Sequence, residues 1–181
     1  MDIIKEKFTL EDNLIGLFYK AQNSKEYQAK LLKTRLTFPL IWTALVIVLF
    51  IVNDTISWFG IVLLILSILW FFFYPIRYKR LHIKHYRKYL ENKKKELGDS
   101  YTEEDIFYLN QTDFKIYSDG VELSIPISRI EKLVELNTHL ILFIKAGGLI
   151  AFNKTSDNYD KFDDYFKSIN IPIEQDLNWS M

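Results

Sequence analysis

The feature that most constrains this chain is an apolar stretch from Leu36 to Ile76, in which Asp54 is the only charged residue. About 18 uncharged residues precede Asp54 and about 22 follow it, and at about 1.5 Å per helical residue each run can cross a hydrocarbon core about 30 Å thick. The stretch therefore predicts a hairpin of two transmembrane helices, at about 37–53 and 56–75. The alternative is a hairpin buried in a soluble core, although a domain of this size seldom encloses two such helices.

The two apolar runs meet at a polar cluster that predicts a tight turn. Asn and Asp favour turns because their side chains bond to nearby backbone groups, so Asn53, Asp54 and Thr55 are expected to reach water. Asp54 is interpreted as a turn former, and the alternative is a functional acid within the bilayer. Pro39 is expected in the first turn of the first helix, where a missing N–H costs little. Pro75 marks the end of the second helix or a kink.

Basic residues lie at both open ends of the hairpin, whereas the turn has none. Positively charged flanks stay on the cytoplasmic side, so the chain is expected in a bacterial cytoplasmic (inner) membrane with both termini in the cytoplasm. Basic residues beside a membrane also attract anionic lipid headgroups, which are the expected lipid partner. The members of this predicted basic patch are Lys30, Lys33, Arg35, Arg77, Lys79, Arg80, Lys84, Arg87 and Lys88.

Aromatic residues near the predicted helix ends fit a membrane-interface belt. Trp42, Trp70 and Tyr74 fall towards the inner interface and Trp58 towards the outer one. The alternative is that they are ordinary packing residues.

The composition excludes several functions. The net charge is zero, but residues 1–98 carry 16 Lys and Arg against 8 Asp and Glu, and residues 99–181 carry 7 against 15. The acidic half speaks against nucleic-acid binding. No Cys is present, so the chain has no disulfide or thiolate metal site, which suits a reducing cytoplasm. The first residues lack the pattern of a cleavable signal peptide, so the first transmembrane helix is expected to direct insertion.

Residues 1–35 are predicted to form a strand and amphipathic helices. The strand spans Ile3 to Thr9, and a helix follows to about Ala21, because Thr9 with the acidic residues after it resembles a helix start. Ser24 is expected to cap a second helix that leads into the membrane. This segment is expected either to lie on the inner membrane surface or to pack against the cytoplasmic domain.

Residues 77–98 are predicted to continue as a basic juxtamembrane helix. Apolar residues recur every seven positions from Ile76 to Leu97, and Gly98 is a natural C-cap. One interpretation is association with the membrane surface or a coiled-coil contact. The other is a solvated stalk whose apolar face packs on the N-terminal helices.

From Tyr101 onward the apolar period changes to two, and turn signals arrive every eight to ten residues, as in an antiparallel sheet. The turns Asp119–Gly120 and Gly147–Gly148 are typical of hairpins. A helix from Ser156 or Asp157 to Ile169 is expected to close the sheet, which places a domain at 99–170 and leaves 171–181 as a loose tail. The predicted strands are Asp105–Leu109, Asp113–Tyr117, Val121–Ile125, Ile130–Leu136, Leu140–Lys145 and Leu149–Asn153.

Four motifs stand out, namely Phe8–Asp12, Phe73–Pro75 with the basic residues after it, Ile125–Ile130 and Leu140–Phe143. Over most of the chain they resemble the YcxB-like family of bacterial membrane proteins. The chain departs from the family at Ile127, where a Trp is usual, and at Asn153–Lys154, where Pro-Lys is typical. The resemblance implies a C-terminal domain similar to the pleckstrin-homology-like (PH-like) fold, a bent sheet capped by a helix. It implies no general activity.

Candidate chemistry in the sequence is sparse. His82 and His85 lie three residues apart, with Glu91 further on, but neighbouring Lys and Arg oppose a divalent cation, so no metal site is predicted. Alternatively, these histidines gain charge against the lipid surface when the cytoplasm acidifies. His139 is placed at a turn and interpreted as a surface histidine.

Catalytic and cofactor sites are not predicted. The acidic pairs Glu103–Glu104 and Asp163–Asp164 are interpreted as solvated charge. Gly147–Gly148 lacks the Lys and Ser or Thr of a phosphate-binding loop. No nucleophile and base occur in a recognisable motif.

The predicted fold class is membrane α+β: a two-helix transmembrane hairpin followed by a small antiparallel sheet that a C-terminal helix caps. The expected function is non-enzymatic, namely to tether a cytoplasmic PH-like binding or assembly domain at the membrane, with another protein or a second copy as partner. An alternative is a membrane immunity protein that neutralises a toxin from a competing bacterium. A third is a lipid-acting enzyme that depends on His82, His85 or His139.

Overall fold

The computed structural model describes residues 2–53, 58–98, 104–118, 120–145 and 147–181. Within these ranges the helices are α1 (Leu10–Gln22), α2 (Lys25–Asn53), α3 (Trp58–Leu97) and α4 (Tyr159–Ser168). The strands are β1 (Asp2–Glu6), β2 (Asp105–Leu109), β3 (Asp113–Ser118), β4 (Val121–Pro126), β5 (Ile130–Glu135), β6 (His139–Ile144), β7 (Leu149–Asn153) and β8 (Ile173–Gln175). Five features of the predictions lie outside the described residues: Asp54 and Thr55 of the hairpin turn, the start of the sheet domain at 99–103, Glu103 and Asp119.

The chain divides into two compact units that differ from the predicted division. The sheet unit comprises residues 1–18 and 86–181, and the hairpin unit comprises residues 19–85. Residues 2–18 join the sheet unit because β1 pairs antiparallel with β2, with Asp2 opposite Leu109. Of the two expectations for the N-terminal segment, packing against the domain therefore applies to its first half.

The sheet unit contains two four-stranded sheets where one was expected, in the orders β1-β2-β3-β4 and β7-β6-β5-β8. A short 3-10 helix at Ile127–Arg129 joins them. Each of the six predicted strands is confirmed to within one residue at either end. Neighbouring strands run antiparallel except β5 and β8, which are parallel with Leu133 opposite Ile173.

Aromatic residues fill the core between the sheets and α4. Phe107, Phe114 and Phe152 from the strands are fully buried with Phe162 and Phe166 from α4. The rings of Phe152 and Phe162 lie 4.4 Å apart between centroids. Phe162 and Phe166 lie on the buried face of α4, and Asn170, which follows the end of this helix, has a φ of 52°.

The second sheet is covered on both faces. Leu140 and Leu142 of β6 contribute to the aromatic core, whereas Ile141, which points to the other face, is also fully buried. Helix α1 lies against that other face: a Cβ on Gly16 would meet Leu149 Cδ1 at 2.6 Å. This double burial explains why β6 is a continuous apolar run with no alternation.

The C-terminal segment corrects the prediction of a loose tail. Strand β8 pairs with β5, and the Leu133 N–H donates to the Pro172 carbonyl at 2.9 Å. The ring of Trp179 lies 6.2 Å from that of Phe18 in α1. The β8 side chains are exposed, so backbone pairing and the ion pair of Lys132 with Glu174 hold this strand, rather than an apolar face that the sequence would reveal.

The hairpin unit consists mainly of α2 and the first part of α3. Both helices are long and apolar enough to cross a membrane, and most of their apolar side chains are exposed, with Leu40 67% and Val52 73% exposed. The break before α2 is confirmed, since the Tyr27 N–H donates to Ser24 Oγ at 3.2 Å. Pro39 was wrongly placed in a first turn: it lies well inside α2, because that helix already begins at Lys25.

Candidate functional site

The sheet unit contains a polar cavity of about 400 Å³ beside the start of α1. Residues before and in the first turn of α1 form one wall, and the segment after β7 forms another. Both cations and carboxylates line the cavity. The lining residues are Lys5, Glu6, Lys7, Thr9, Asp12, Glu104, Asn153, Thr155, Ser156, Asp157 and Asn158.

Thr9 and Asp12 form a reciprocal cap at the start of α1. The Thr9 N–H donates to Asp12 Oδ2 at 2.7 Å, and the Asp12 N–H donates to Thr9 Oγ1 at 3.2 Å. The Thr9 hydroxyl also donates to Asp12 Oδ2 at 2.7 Å. This is the capping-box arrangement with Asp in the third position, so the helix start that the sequence predicted is confirmed.

His139 corrects the prediction of a surface histidine without a carboxylate partner. It is 4% exposed, and its Nε2 lies 2.9 Å from Oδ1 of Asp12, which is 3% exposed. The Asn153 amide donates to the same oxygen at 3.3 Å. Since 127 positions separate Asp12 and His139 in the chain, no local signal in the sequence could have paired them.

The protonation of this pair follows from its hydrogen bonds. A carboxylate only accepts, so His139 Nε2 carries a proton that it donates to Asp12. Nδ1 lies 2.8 Å from Thr138 Oγ1, a hydroxyl that donates to a neutral ring and accepts from a protonated one. Burial raises the pKa of the Asp12 carboxyl and is the largest single influence, but the hydrogen bonds from His139 and Thr9 outweigh it, so this pKa lies below 3.8.

The arrangement orders three elements. Both ring nitrogens of His139 have partners, and His139 does not line the described cavity. The Ser156 hydroxyl donates to Glu6 Oε2 at 2.7 Å, and the Asn158 amide donates to the same oxygen at 2.9 Å. The bonds of Asp12 therefore tie α1 to β6 and β7, and the bonds of Glu6 tie β1 to the segment after β7.

The predicted basic patch is not a uniform set of free cations. Lys30 forms an ion pair with Glu26 at 2.7 Å, and Arg87 forms one with Glu11 of α1 at 3.1 Å. Leu90, one turn after Arg87, is buried. Leu90 belongs to the part of α3 that lies in the sheet unit, and its burial favours the packing interpretation of this stretch.

Arg35 is held inside the hairpin by a carbonyl that a proline has freed. Pro75 has no N–H to donate to the Phe71 carbonyl four residues earlier. Arg35 Nε supplies the missing donor at 3.0 Å, and its guanidinium lies over the Phe71 ring, 3.9 Å from the centroid. This replacement lets α3 continue through Pro75, where the sequence suggested an end or a kink.

Aromatic contacts extend along the two helices. Trp70 Nε1 donates to the Thr34 carbonyl at 3.4 Å. Further along, His82 packs on Tyr27 and Tyr78, with ring centroids 4.9 and 4.3 Å away. No group of three or more potential metal ligands occurs among the described residues, so the structure does not join His82, His85 and Glu91 into such a site.

A narrow groove of about 230 Å³ lies between the two helices of the hairpin unit. Its walls are apolar and aromatic side chains, and Arg77 is the single charged residue among the described residues that line it. No acidic residue of the described chain lines it. The lining residues are Trp42, Leu66, Leu69, Trp70, Phe73, Tyr74 and Arg77.

The edge strand β4 exposes apolar side chains. Among the described residues it is the outer strand of its sheet. Its residues Val121 and Leu123 are 67% and 54% exposed. Both point to the face on which Ile125 is buried, because they alternate with it along the strand. Part of the core-facing side of this sheet is therefore exposed at β4.

The sequence matches no protein-family model, and no curated protein is detectably similar to it. The resemblance to the YcxB-like family therefore stays a prediction.

Proposed function

We propose that this protein is a non-enzymatic, two-span membrane protein that holds a PH-like binding or assembly domain at a bacterial cytoplasmic membrane. The two apolar helices span the bilayer, the turn faces outwards and the sheet unit lies in the cytoplasm. The sheet unit binds another protein or a second copy through an exposed strand edge.

One observation carries the topology. Strand β1 precedes both apolar helices and pairs with β2, which follows them. Two paired strands lie on the same side of a bilayer, so the chain between them crosses it an even number of times. A single cleaved leader helix and a single anchor are both inconsistent with this pairing, and two crossings suit both the lengths of α2 and α3 and the basic residues at their open ends.

The sheet unit supports a binding role. Two sheets with a C-terminal helix in their shared core resemble the arrangement that a PH-like domain has, and such domains present strand edges to partners. The exposed apolar residues on β4 offer a partner strand both backbone groups and side-chain contacts. Fold alone does not assign a partner.

Topology is tested with reporters fused to the full-length chain. A cytoplasmic reporter after Met181 is expected to be active, and a periplasmic reporter there inactive. The opposite pattern contradicts the orientation. Activity of the periplasmic reporter inserted between the two apolar helices is expected, and its absence contradicts the two crossings.

The binding role is tested by crosslinking full-length protein in cells, followed by solubilisation and mass spectrometry. Leu123→Lys places a charge on the exposed edge and is expected to abolish the specific crosslinks. Leu177→Lys is the matched control, because Leu177 is also an exposed leucine outside β4, and it is expected to keep them. Equal crosslinks in both variants contradict edge binding, and a secreted toxin among the partners supports the immunity alternative instead.

A further inference from the structure

The groove of the hairpin unit has two chemically distinct ends. Leu66, Leu69 and Phe73 lie on one stripe of α3, at spacings of three and four residues, and Arg77 follows on the same stripe one turn later. In the proposed topology this stripe runs from the hydrocarbon core to the cytoplasmic interface. An elongated ligand with an apolar body and an anionic end matches it.

Arg77 differs from the other arginine near the groove. Arg35 is committed to the Phe71 carbonyl and ring, whereas Arg77 is exposed and forms no ion pair among the described residues. A guanidinium binds phosphate through two parallel hydrogen bonds. Because Arg77 lies at the polar end of an apolar groove, a phosphate attached to an acyl chain is favoured over a soluble anion.

We propose that this groove binds one anionic phospholipid, with an acyl chain along Leu66, Leu69 and Phe73 and the phosphate at Arg77. The assignment rests on the proposed membrane insertion. It makes the hairpin a lipid-selective element in addition to an anchor, since a zwitterionic lipid fits the apolar walls equally but lacks the net charge that Arg77 attracts.

The test uses the fluorescence of the two tryptophans in the groove. In full-length protein with Trp58→Phe and Trp179→Phe, the remaining tryptophans, Trp42 and Trp70, both line the groove. The protein is reconstituted into phosphatidylcholine vesicles that contain a rising fraction of phosphatidylglycerol brominated on its acyl chains. A parallel series uses brominated phosphatidylcholine. Bromine quenches tryptophan on contact.

Half-maximal quenching is expected at a lower fraction of brominated phosphatidylglycerol than of brominated phosphatidylcholine. Arg77→Gln is expected to raise that fraction about fivefold, which corresponds to one lost cation at a lipid surface. Arg80→Gln removes the same charge from the same helix outside the groove and is expected to cause a smaller shift. Excess glycerol phosphate in solution is expected not to reverse the quenching.

The other outcomes separate the two proposals. Equal quenching by both lipids, equal shifts for Arg77→Gln and Arg80→Gln, or reversal by soluble glycerol phosphate would overturn the lipid site and leave membrane insertion intact. Absence of quenching by either lipid overturns the insertion on which the site rests. Retained quenching of Arg77→Gln by brominated phosphatidylcholine shows that this variant is still inserted.

Discussion

The two units of this protein place their apolar side chains on opposite sides, and each contains a polar acceptor that depends on a side-chain donor. In the sheet unit, apolar side chains are inside, and the buried carboxylate of Asp12 needs donors. In the hairpin unit, apolar side chains are outside, and the group that needs a donor is a backbone carbonyl, that of Phe71. Asp12 receives hydrogen bonds from His139 and Asn153, which are distant in the chain, and the Phe71 carbonyl receives one from Arg35.

This difference predicts which single substitution lowers the stability most. Asp12 is a buried charge with several donors aimed at it, so its loss leaves those donors without acceptors in a dry site. The Phe71 carbonyl is one neutral group beside a half-buried arginine. We therefore expect the Asp12 network to contribute more to stability than the Arg35 contact.

The largest effect is expected for Asp12→Ala, which leaves His139, Thr9 and Asn153 without their shared acceptor. The free energy of unfolding of the sheet unit should fall by about 3–5 kcal/mol. Hydrogen exchange of the β6 amides in the full-length protein measures this loss. Asp164→Ala, which removes an exposed carboxylate from α4, should change it by less than about 0.5 kcal/mol, and equal effects would contradict a buried network.

Acid is expected to remove part of the same stabilisation. The pKa of Asp12 is lowered in the folded protein, so its contribution is fully present above pH 3.8 and is lost as the pH falls through the folded value. The loss should be smaller than that of Asp12→Ala, since the protonated side chain still occupies the site. Unfolding free energies measured against pH should fall less steeply for Asp12→Asn, and identical slopes would exclude this linkage.

Arg35→Met should weaken the hairpin unit by about 1–2 kcal/mol, because it removes one charged donor from a carbonyl. Pro75→Ala should suppress this loss, since alanine brings a backbone N–H to the Phe71 carbonyl. Unfolding in mixed micelles measures both effects, with Arg80→Met as the control. If the double variant is no more stable than Arg35→Met, the proline does not explain the contact.

The smallest effect is expected at α4, in alkali. Burial raises the pKa values of Tyr159 and Tyr165 to about 12, so their stabilisation is complete below pH 10 and is lost as the pH rises towards 12. Tyrosinate absorbance should show that these two residues titrate late. Tyr165→Phe should remove one of them and cost about 1 kcal/mol, because the Tyr165 hydroxyl donates to the Asn110 carbonyl at 2.8 Å.

Features with a local cause could be predicted from the sequence. The strand bounds follow from short apolar or alternating runs between turn signals, the turns from Gly120 and Gly147, which both have positive φ, and the start of α1 from Thr9 and its acidic neighbours. The hairpin follows from its length and lack of charge. These signals are complete within a few residues, so the surrounding chain is not needed to interpret them.

Features that depend on distant partners could not be predicted. His139 has no carboxylate near it in the sequence, and Arg35 resembles any other cation beside a membrane until Pro75 and Phe71 are placed next to it. Strand β8 is held to β5 by backbone bonds and by the ion pair of Lys132 with Glu174, and neither requires an apolar pattern in the strand. The groove likewise combines residues of two helices, of which only the α3 stripe is visible in the sequence.

The pairing of β1 with β2 has a consequence for the order of synthesis. Partner residues such as Glu6 and Asp105 are about 100 positions apart, and at about 5–20 residues per second β1 waits about 5–20 s for its neighbour to leave the ribosome. During that interval Leu14 and Phe18, which are fully buried in the finished protein, have no completed sheet to cover them. A nascent chain stalled between the second apolar helix and Asp105 would thus expose the apolar side chains of α1 to chaperones and proteases.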